Sequence, residues 1–294
     1  MFFCWGWLKS NRLPVPLVVV GNISVGGTGK TPLVVALAKE LTQAGYRVGI
    51  ISRGYGGDAD CWPQSVSAGS EASWVGDEPL LIVRRSGCPM SVGPQRYEVG
   101  LHLLAQAECD LILCDDGLQH YALQRDFEIA VLDGERRLGN GWRLPSGPLR
   151  ESPARLNSVD WVLINGARDR DELGFDLRGE RLVCLSDAAS RPLADFIGQQ
   201  VHGVAAIGNP ARFFAQLRAV GLQVIEHPLP DHYALQAEDL YFEDDFAVIM
   251  TEKDAVKCQA LQTPQNMYYL PVTAELDQPF ITSFLAAVKR KCDG

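Results

Sequence analysis

The chain predicts an α/β protein: a P-loop-type parallel sheet with helices on both faces, followed by a second, smaller α/β domain. Three observations carry this. The β-branched run Val18-Val19-Val20 passes through Gly21 into a glycine-rich loop that ends Gly29-Lys30-Thr31 and opens an amphipathic segment, the order of a strand, an anion-binding turn and a helix. Apolar strand-like runs alternate with helix-length segments along most of the sequence, as a parallel sheet with crossover helices requires. With 294 residues, 47% of them hydrophobic and 21% charged, the chain has core enough for two medium domains. The expected division is residues 1–155 and 156–294.

The first twelve residues contain Phe2, Phe3, Trp5 and Trp7, followed by Lys9 and Arg12. This is the composition of an interfacial anchor with rings at headgroup depth, or else of a segment packed on the domain's own core. Next comes the cradle. Gly26, Gly27 and Gly29 let successive backbone N–H groups turn toward an anion, with Thr28 between them; Lys30 reaches terminal phosphates and the Thr31 hydroxyl takes a Mg²⁺ position. Ser24 stands where the usual GxxxxGK[ST] spacing has glycine.

Pro32 to Leu41 has helical apolar spacing, with proline at a permitted first-turn position and Gly45 as the stop. Arg47 to Ile51 reads as the second strand of a βαβ unit, which places ligands at the carboxyl ends of its strands. Asp110 to Asp116 reads as a buried strand closing in two carboxylates, and Glu128 to Asp133 as another. Arg136 to Pro153, rich in Gly, Pro and Arg, reads as a long loop. Strands at Asp160–Asn165, Val201–Ile207 and Phe246–Met250, with a helix from Pro210 to Val220, are assigned to the second domain.

A net charge of −9 and a pI near 5.1 argue against nucleic acid as a partner. The eight cysteines form no CxxC pair, which favours reduced thiols in a cytoplasmic setting over disulfides or zinc. No apolar run approaches the roughly 18 residues of a membrane-spanning helix.

Several polar groups fall at predicted strand ends. Asp115 and Asp116 sit where a P-loop enzyme holds Mg²⁺. Arg53, in Ser52-Arg53-Gly54-Tyr55-Gly56-Gly57, is either a fork onto phosphate oxygens or an exposed loop arginine. Asp77 and Glu78 precede a helical run; one of them caps that helix, or Asp77 accepts a hydroxyl proton from an alcohol substrate. His232, in Leu229-Pro230-Asp231-His232-Tyr233, is either a structural imidazole or a partner that tunes a base carboxylate.

Together, Gly21 to Pro32, Ser52 to Gly57, Gly76-Asp77-Glu78-Pro79, Asp115-Asp116-Gly117-Leu118-Gln119-His120, Gly147-Pro148-Leu149-Arg150-Glu151, Asp231-His232 and Thr251 to Ala255 resemble, in this order, the tetraacyldisaccharide 4′-kinase family of lipid A biosynthesis. The resemblance covers nearly the whole chain. It implies transfer of the ATP γ-phosphate to the 4′-hydroxyl of a tetraacylated glucosamine disaccharide 1-phosphate, giving lipid IVA at the cytoplasmic face of the inner membrane. It implies that Gly26 to Thr31, Arg53 and Gln119 bind ATP and that Asp77 is the general base with His232 as its partner. It further implies that Thr31, Asp115, Asp116 and Glu151 serve Mg²⁺ or the phosphates, and that Glu78, Tyr55 and His120 stand nearby. The partners so implied are the lipid substrate and, peripherally, the inner membrane. The alternative is a P-loop GTPase-type regulatory or metal-insertion protein. It needs a guanine-reading Asn-Lys-x-Asp, which neither Ile164-Asn165-Gly166-Ala167 nor Thr251-Glu252-Lys253-Asp254 supplies.

Overall fold

The computed structural model describes residues 10–231, 233–258 and 266–292. The chain divides into two compact units, residues 1–177 with 274–294, and residues 178–273.

The larger unit is built in the order β1 (Leu17–Gly21), α1 (Lys30–Gln43), β2 (Val48–Ser52), β3 (Gln64–Val66), α2 (Ala72–Val75), α3 (Asp77–Ser86), β4 (Met90–Val92), α4 (Arg96–Gln106), β5 (Leu111–Asp115), β6 (Phe127–Asp133), β7 (Trp161–Asn165) and β8 (Gly174–Arg178). The smaller unit contributes β9 (Arg181–Cys184), β10 (Ser190–Pro192), β11 (Gln200–Ala205), α5 (Pro210–Ala219), β12 (Gln223–Pro228), β13 (Ala247–Thr251), α6 (Glu252–Lys257) and β14 (Met267–Leu270). The chain then returns to the first unit as β15 (Thr273–Leu276) and α7 (Gln278–Cys292).

Among the described residues the first sheet has nine strands in the order β15-β8-β7-β6-β1-β5-β2-β4-β3. The pairs from β8 to β4 are parallel and β3 joins β4 antiparallel. Both faces of β1, β2 and β5 are buried, which is why these strands read as unbroken apolar runs. The winding moves outward from β1 to β2 and β4, then back to β5. Right-handed crossovers running in opposite directions place α1 and α3 on one face and α4 on the other. Accordingly α1 packs on α3, while Val99 and Leu103 of α4 cluster with Leu17, Val19, Ile51, Ile112 and Cys114. This sheet and its two helix layers match the predicted fold class.

The boundary expected near residue 155 lies instead at 177/178, and the last segment returns to the first unit. The reason is pairing: Trp161–Asn165 extends the first sheet parallel to β6 rather than starting a new one. Trp161 is then covered by the returning helix, its ring 6.0 Å from Phe280 and 5.6 Å from Phe284, both edge-on.

In the second unit the six-stranded sheet runs β10-β9-β14-β13-β11-β12 among the described residues. Asp254, fully buried, accepts from the Thr251 hydroxyl at 2.7 Å, the Ala206 N–H at 3.0 Å and Lys257 at 3.0 Å. It ties the start of α6 to the end of β11. No helix among the described residues is long and apolar enough to cross a membrane.

Candidate active site

The site grows from the carboxyl ends of β1, β2 and β5. After β1 the backbone carries positive φ at Gly26 (91°) and Gly29 (89°), angles that an L side chain resists. Gly29 is also the N-cap of α1, so the cradle runs directly into the positive end of a helix. Behind it, the Asn165 amide at the end of β7 donates to the Thr28 carbonyl at 3.0 Å. A Cβ on Gly29 would lie 2.3 Å from that same nitrogen. The Thr28 hydroxyl is buried with no hydrogen-bond partner.

Lys30 extends between two acceptors, the Asn22 side-chain oxygen at 3.2 Å and Asp116 at 3.4 Å. Asn22 is fully buried and held in turn by its own amide, which donates to the Ser24 carbonyl at 2.6 Å. Thr31 follows in the first turn of α1. The stretch expected as a long loop lies along this cradle. Val25 donates its N–H to Pro148 at 2.8 Å, Arg150 donates to Ile23 at 2.6 Å, and Ser24 bridges Leu149.

The two carboxylates at the end of β5 have opposite characters. Asp115 is 1% exposed; one oxygen accepts from the Ser52 hydroxyl at 3.2 Å and the other has no hydrogen-bond partner. Burial, reinforced by the negative charges of Glu78 and Asp116, pushes its carboxyl up to about 7, against the pull of Lys30 and Ser52. Asp116 leaves the strand with φ 48°, a left-handed position that aspartate tolerates. Burial would raise its carboxyl too, but Lys30 and Arg150, the latter 3.2 Å away, outweigh it and hold the group below its ordinary value.

Gln119 donates to the Asn22 carbonyl at 3.0 Å and to Glu151 at 2.7 Å. The other Glu151 oxygen accepts from the Tyr121 hydroxyl and lies 3.7 Å from Arg155. Both oxygens of Glu151, expected beside the metal, are thus engaged by protein donors. His120 is driven down to about 4, by burial first and then by the cations Arg96, Arg125 and Arg53.

Asp77 opens α3, and Gly76, with φ 96°, takes the N-cap position. Asp77 is 5% exposed and accepts the Glu78 N–H at 2.8 Å. The Ser52–Gly57 loop lies directly against this turn: a Cβ on Gly76 would meet the Tyr55 carbonyl at 2.6 Å, and one on Gly57 the Trp74 carbonyl at 2.4 Å. Arg53, Asp77 and Glu78 therefore share the sheet edge with Lys30, Asp115 and Asp116. His232 and the aromatic start of the chain lie outside the described residues.

Residues 1–289 match the family described as tetraacyldisaccharide-1-P 4′-kinase. The chain belongs to the tetraacyldisaccharide 4′-kinase family. Its relatives of that name include one from Alkalilimnicola ehrlichii, 53% identical over 92% of this chain and 81% of the relative. Another, from Nitrosococcus oceani, is 49% identical over 97% and 84%. The crystal structure of LpxK from Aquifex aeolicus in complex with ATP superposes with a TM-score of 0.78 at 27% identity, covering 98% of this chain and 93% of that one. Membership in the tetraacyldisaccharide 4′-kinase family displaces the GTPase alternative. Three site residues escaped the sequence reading as individual positions: Asn165, Tyr121 and the buried Arg96. Asn165 closes an apolar strand, a position that would have flagged it. Nothing local marks Tyr121 or Arg96.

Proposed function

We propose that the chain transfers the γ-phosphate of ATP to the 4′-hydroxyl of tetraacyldisaccharide 1-phosphate, yielding lipid IVA, with the reacting groups at the carboxyl edge of the first sheet. The observation that carries this is Lys30, held between Asn22 and Asp116 at the mouth of a glycine cradle, on the same edge as the buried Asp77. Phosphoryl transfer asks a protein for positioning and charge stabilisation above all. The cradle N–H groups and Lys30 supply the charge, and Arg53, which makes no hydrogen bond or ion pair among the described residues, is available to a phosphate. Asp77 accepts the proton of the attacking hydroxyl, its carboxylate steered by the first turn of α3. His232 is assigned the role of its partner on the family resemblance alone.

The residues fit Mg²⁺. Thr31 and Asp116 offer oxygen, and the bare buried oxygen of Asp115 is a donor that a hard cation would satisfy. Among the described residues no cluster of three or more acidic, His or Cys side chains forms a metal cage, in keeping with an ion bound through one or two carboxylates and nucleotide phosphates. When bound it neutralises phosphate oxygens. Glu151 acts one step back, fixing Gln119 and Tyr121. Because the proposed substrate is a lipid, the protein works in peripheral contact with the cytoplasmic face of the inner membrane.

The test is transfer of label from [γ-³²P]ATP to tetraacyldisaccharide 1-phosphate in detergent micelles. Wild type should label the lipid, and Asp77→Ala should lose about 10²–10⁴-fold in rate. No labelled lipid from wild type refutes the activity. Full activity in the variant removes only Asp77 from the base role.

A further inference from the structure

The segment from Arg136 to Arg150 holds four arginines and no carboxylate, in a chain whose net charge is −9. Three of these cations are engaged. Arg136 donates to the Gly27 carbonyl, Arg137 pairs with Glu172 at 2.6 Å, and Arg150 pairs with Asp116 at 3.2 Å. The Arg143 guanidinium is exposed and makes no hydrogen bond or ion pair among the described residues. It stands between Trp142, 67% exposed, and Leu144, 54% exposed.

Such exposure in a slack loop would mean little, but this backbone is pinned. Leu144 donates to Leu149 at 2.8 Å and Leu149 to Trp142 at 3.1 Å, while Ser146 closes onto the Arg143 carbonyl at 3.0 Å. The Asn140 side chain bridges the base, donating to Ser146 at 3.0 Å and accepting from Trp142 at 3.1 Å. Gly147 admits no side chain, since a Cβ there would meet the Trp142 carbonyl at 2.4 Å. The root is the fully buried Leu149, clamped to the first arm of the cradle through Ser24 and Val25. Two large apolar side chains flanking an unpaired cation are therefore held out to solvent in one fixed arrangement. Their ordering is settled before any contact forms.

We propose that Trp142, Arg143 and Leu144 form a finger that docks on an anionic phospholipid bilayer. The indole and the Leu144 side chain enter the boundary between headgroups and acyl chains, and Arg143 bonds a lipid phosphate. Charge selects this occupant: Arg143, exposed on a segment free of carboxylates, complements an anionic surface, and an indole beside a leucine suits its interface. The inference stands whether or not the chain is a lipid kinase.

The experiment is sedimentation of the full chain with vesicles of phosphatidylethanolamine and phosphatidylglycerol, beside vesicles of phosphatidylcholine. Replacing Trp142 and Leu144 together by Ser should lower partitioning at least about tenfold. Arg143→Gln should lower it about fivefold on the anionic vesicles only. Trp142→Phe should keep binding while removing part of the tryptophan quenching by brominated lipids. Unchanged partitioning and unchanged quenching overturn the proposal. So does a loss of partitioning accompanied by loss of the thermal stabilisation that ATP gives, which would trace the effect to a damaged cradle. A raised KM for the tetraacyl substrate in micelles with unchanged vesicle binding would assign the finger to substrate acyl chains and overturn the bilayer. None of these outcomes bears on whether wild type labels its lipid substrate.

Discussion

Gly29→Ala tests the cradle at its tightest point. Alanine at φ 89° incurs about 1–2 kcal/mol of left-handed strain. Its Cβ, placed 2.3 Å from the Asn165 amide nitrogen, must also displace a side chain that donates to the Thr28 carbonyl at 3.0 Å. Losing that buried hydrogen bond adds about 1 kcal/mol. The sum is about 2–3 kcal/mol, read by urea denaturation without nucleotide. If the loop relaxes into another conformation instead, the same free energy appears as ATP affinity weakened about 30-fold or more. Asn165→Ala separates the two contributions, because it removes the obstacle as well as the hydrogen bond. The double variant should therefore be about 1 kcal/mol more stable than the sum of the single effects predicts. Additive effects, or a Gly29→Ala protein matching wild type in both stability and ATP binding, would refute the reasoning.

Two carboxyl-edge groups predict opposite responses to pH. His120, driven down to about 4 from 6.5, stays neutral while the unfolded chain takes up its proton. Stability is therefore lost as pH falls from about 6.5 toward 4. Allowing for its partial exposure the loss is about 1–2 kcal/mol, and His120→Asn should flatten that slope in urea melts at pH 5 and pH 8; equal slopes would count against it. Asp115, raised to about 7, behaves in the reverse sense: the stability from its retained proton is full below pH 4 and is lost as pH rises through 7. Asp115→Asn should thus be more stable than wild type at pH 8 without ligands, by on the order of 2–4 kcal/mol, and equal to it near pH 4. The same variant should lose the additional thermal stabilisation that Mg²⁺ gives to the ATP complex; retention of that increment would remove Asp115 from the metal.

How much of this was legible in the sequence depends on whether a signal is local. The cradle, the strand closing in Asp115 and the helix after Asp77 are local events, written in β-branched runs, glycines and acids at element ends, and the structure has each of them. The domain boundary was misplaced because the apolar run of β7 looks the same whether it opens a new sheet or extends an old one. Its pairing with β6 and the cover that the distant Phe280 and Phe284 give Trp161 decide it. For the same reason the stretch from 136 to 153, which is the long loop expected, gave no sign of what it packs on. Its order comes from pairing with Ile23, Ser24 and Val25, more than a hundred residues earlier, and pairing of that kind leaves no periodicity. Glu151 was placed at the metal or the phosphates by the family resemblance, whereas its partners Gln119, Tyr121 and Arg155 follow from three-dimensional placement.

The return of the chain to its first unit has a consequence for biosynthesis. The elements that carry the cradle, the paired aspartates and Asp77 are all synthesised before residue 178, yet the edge of their sheet and the cover over Trp161 arrive only with β15 and α7. On the ribosome the larger unit lacks the cover over Trp161 until the whole smaller unit has been made. Sealing of the larger unit therefore follows synthesis of the smaller one. A nascent chain released early carries every residue of the phosphate cradle together with an open aromatic face.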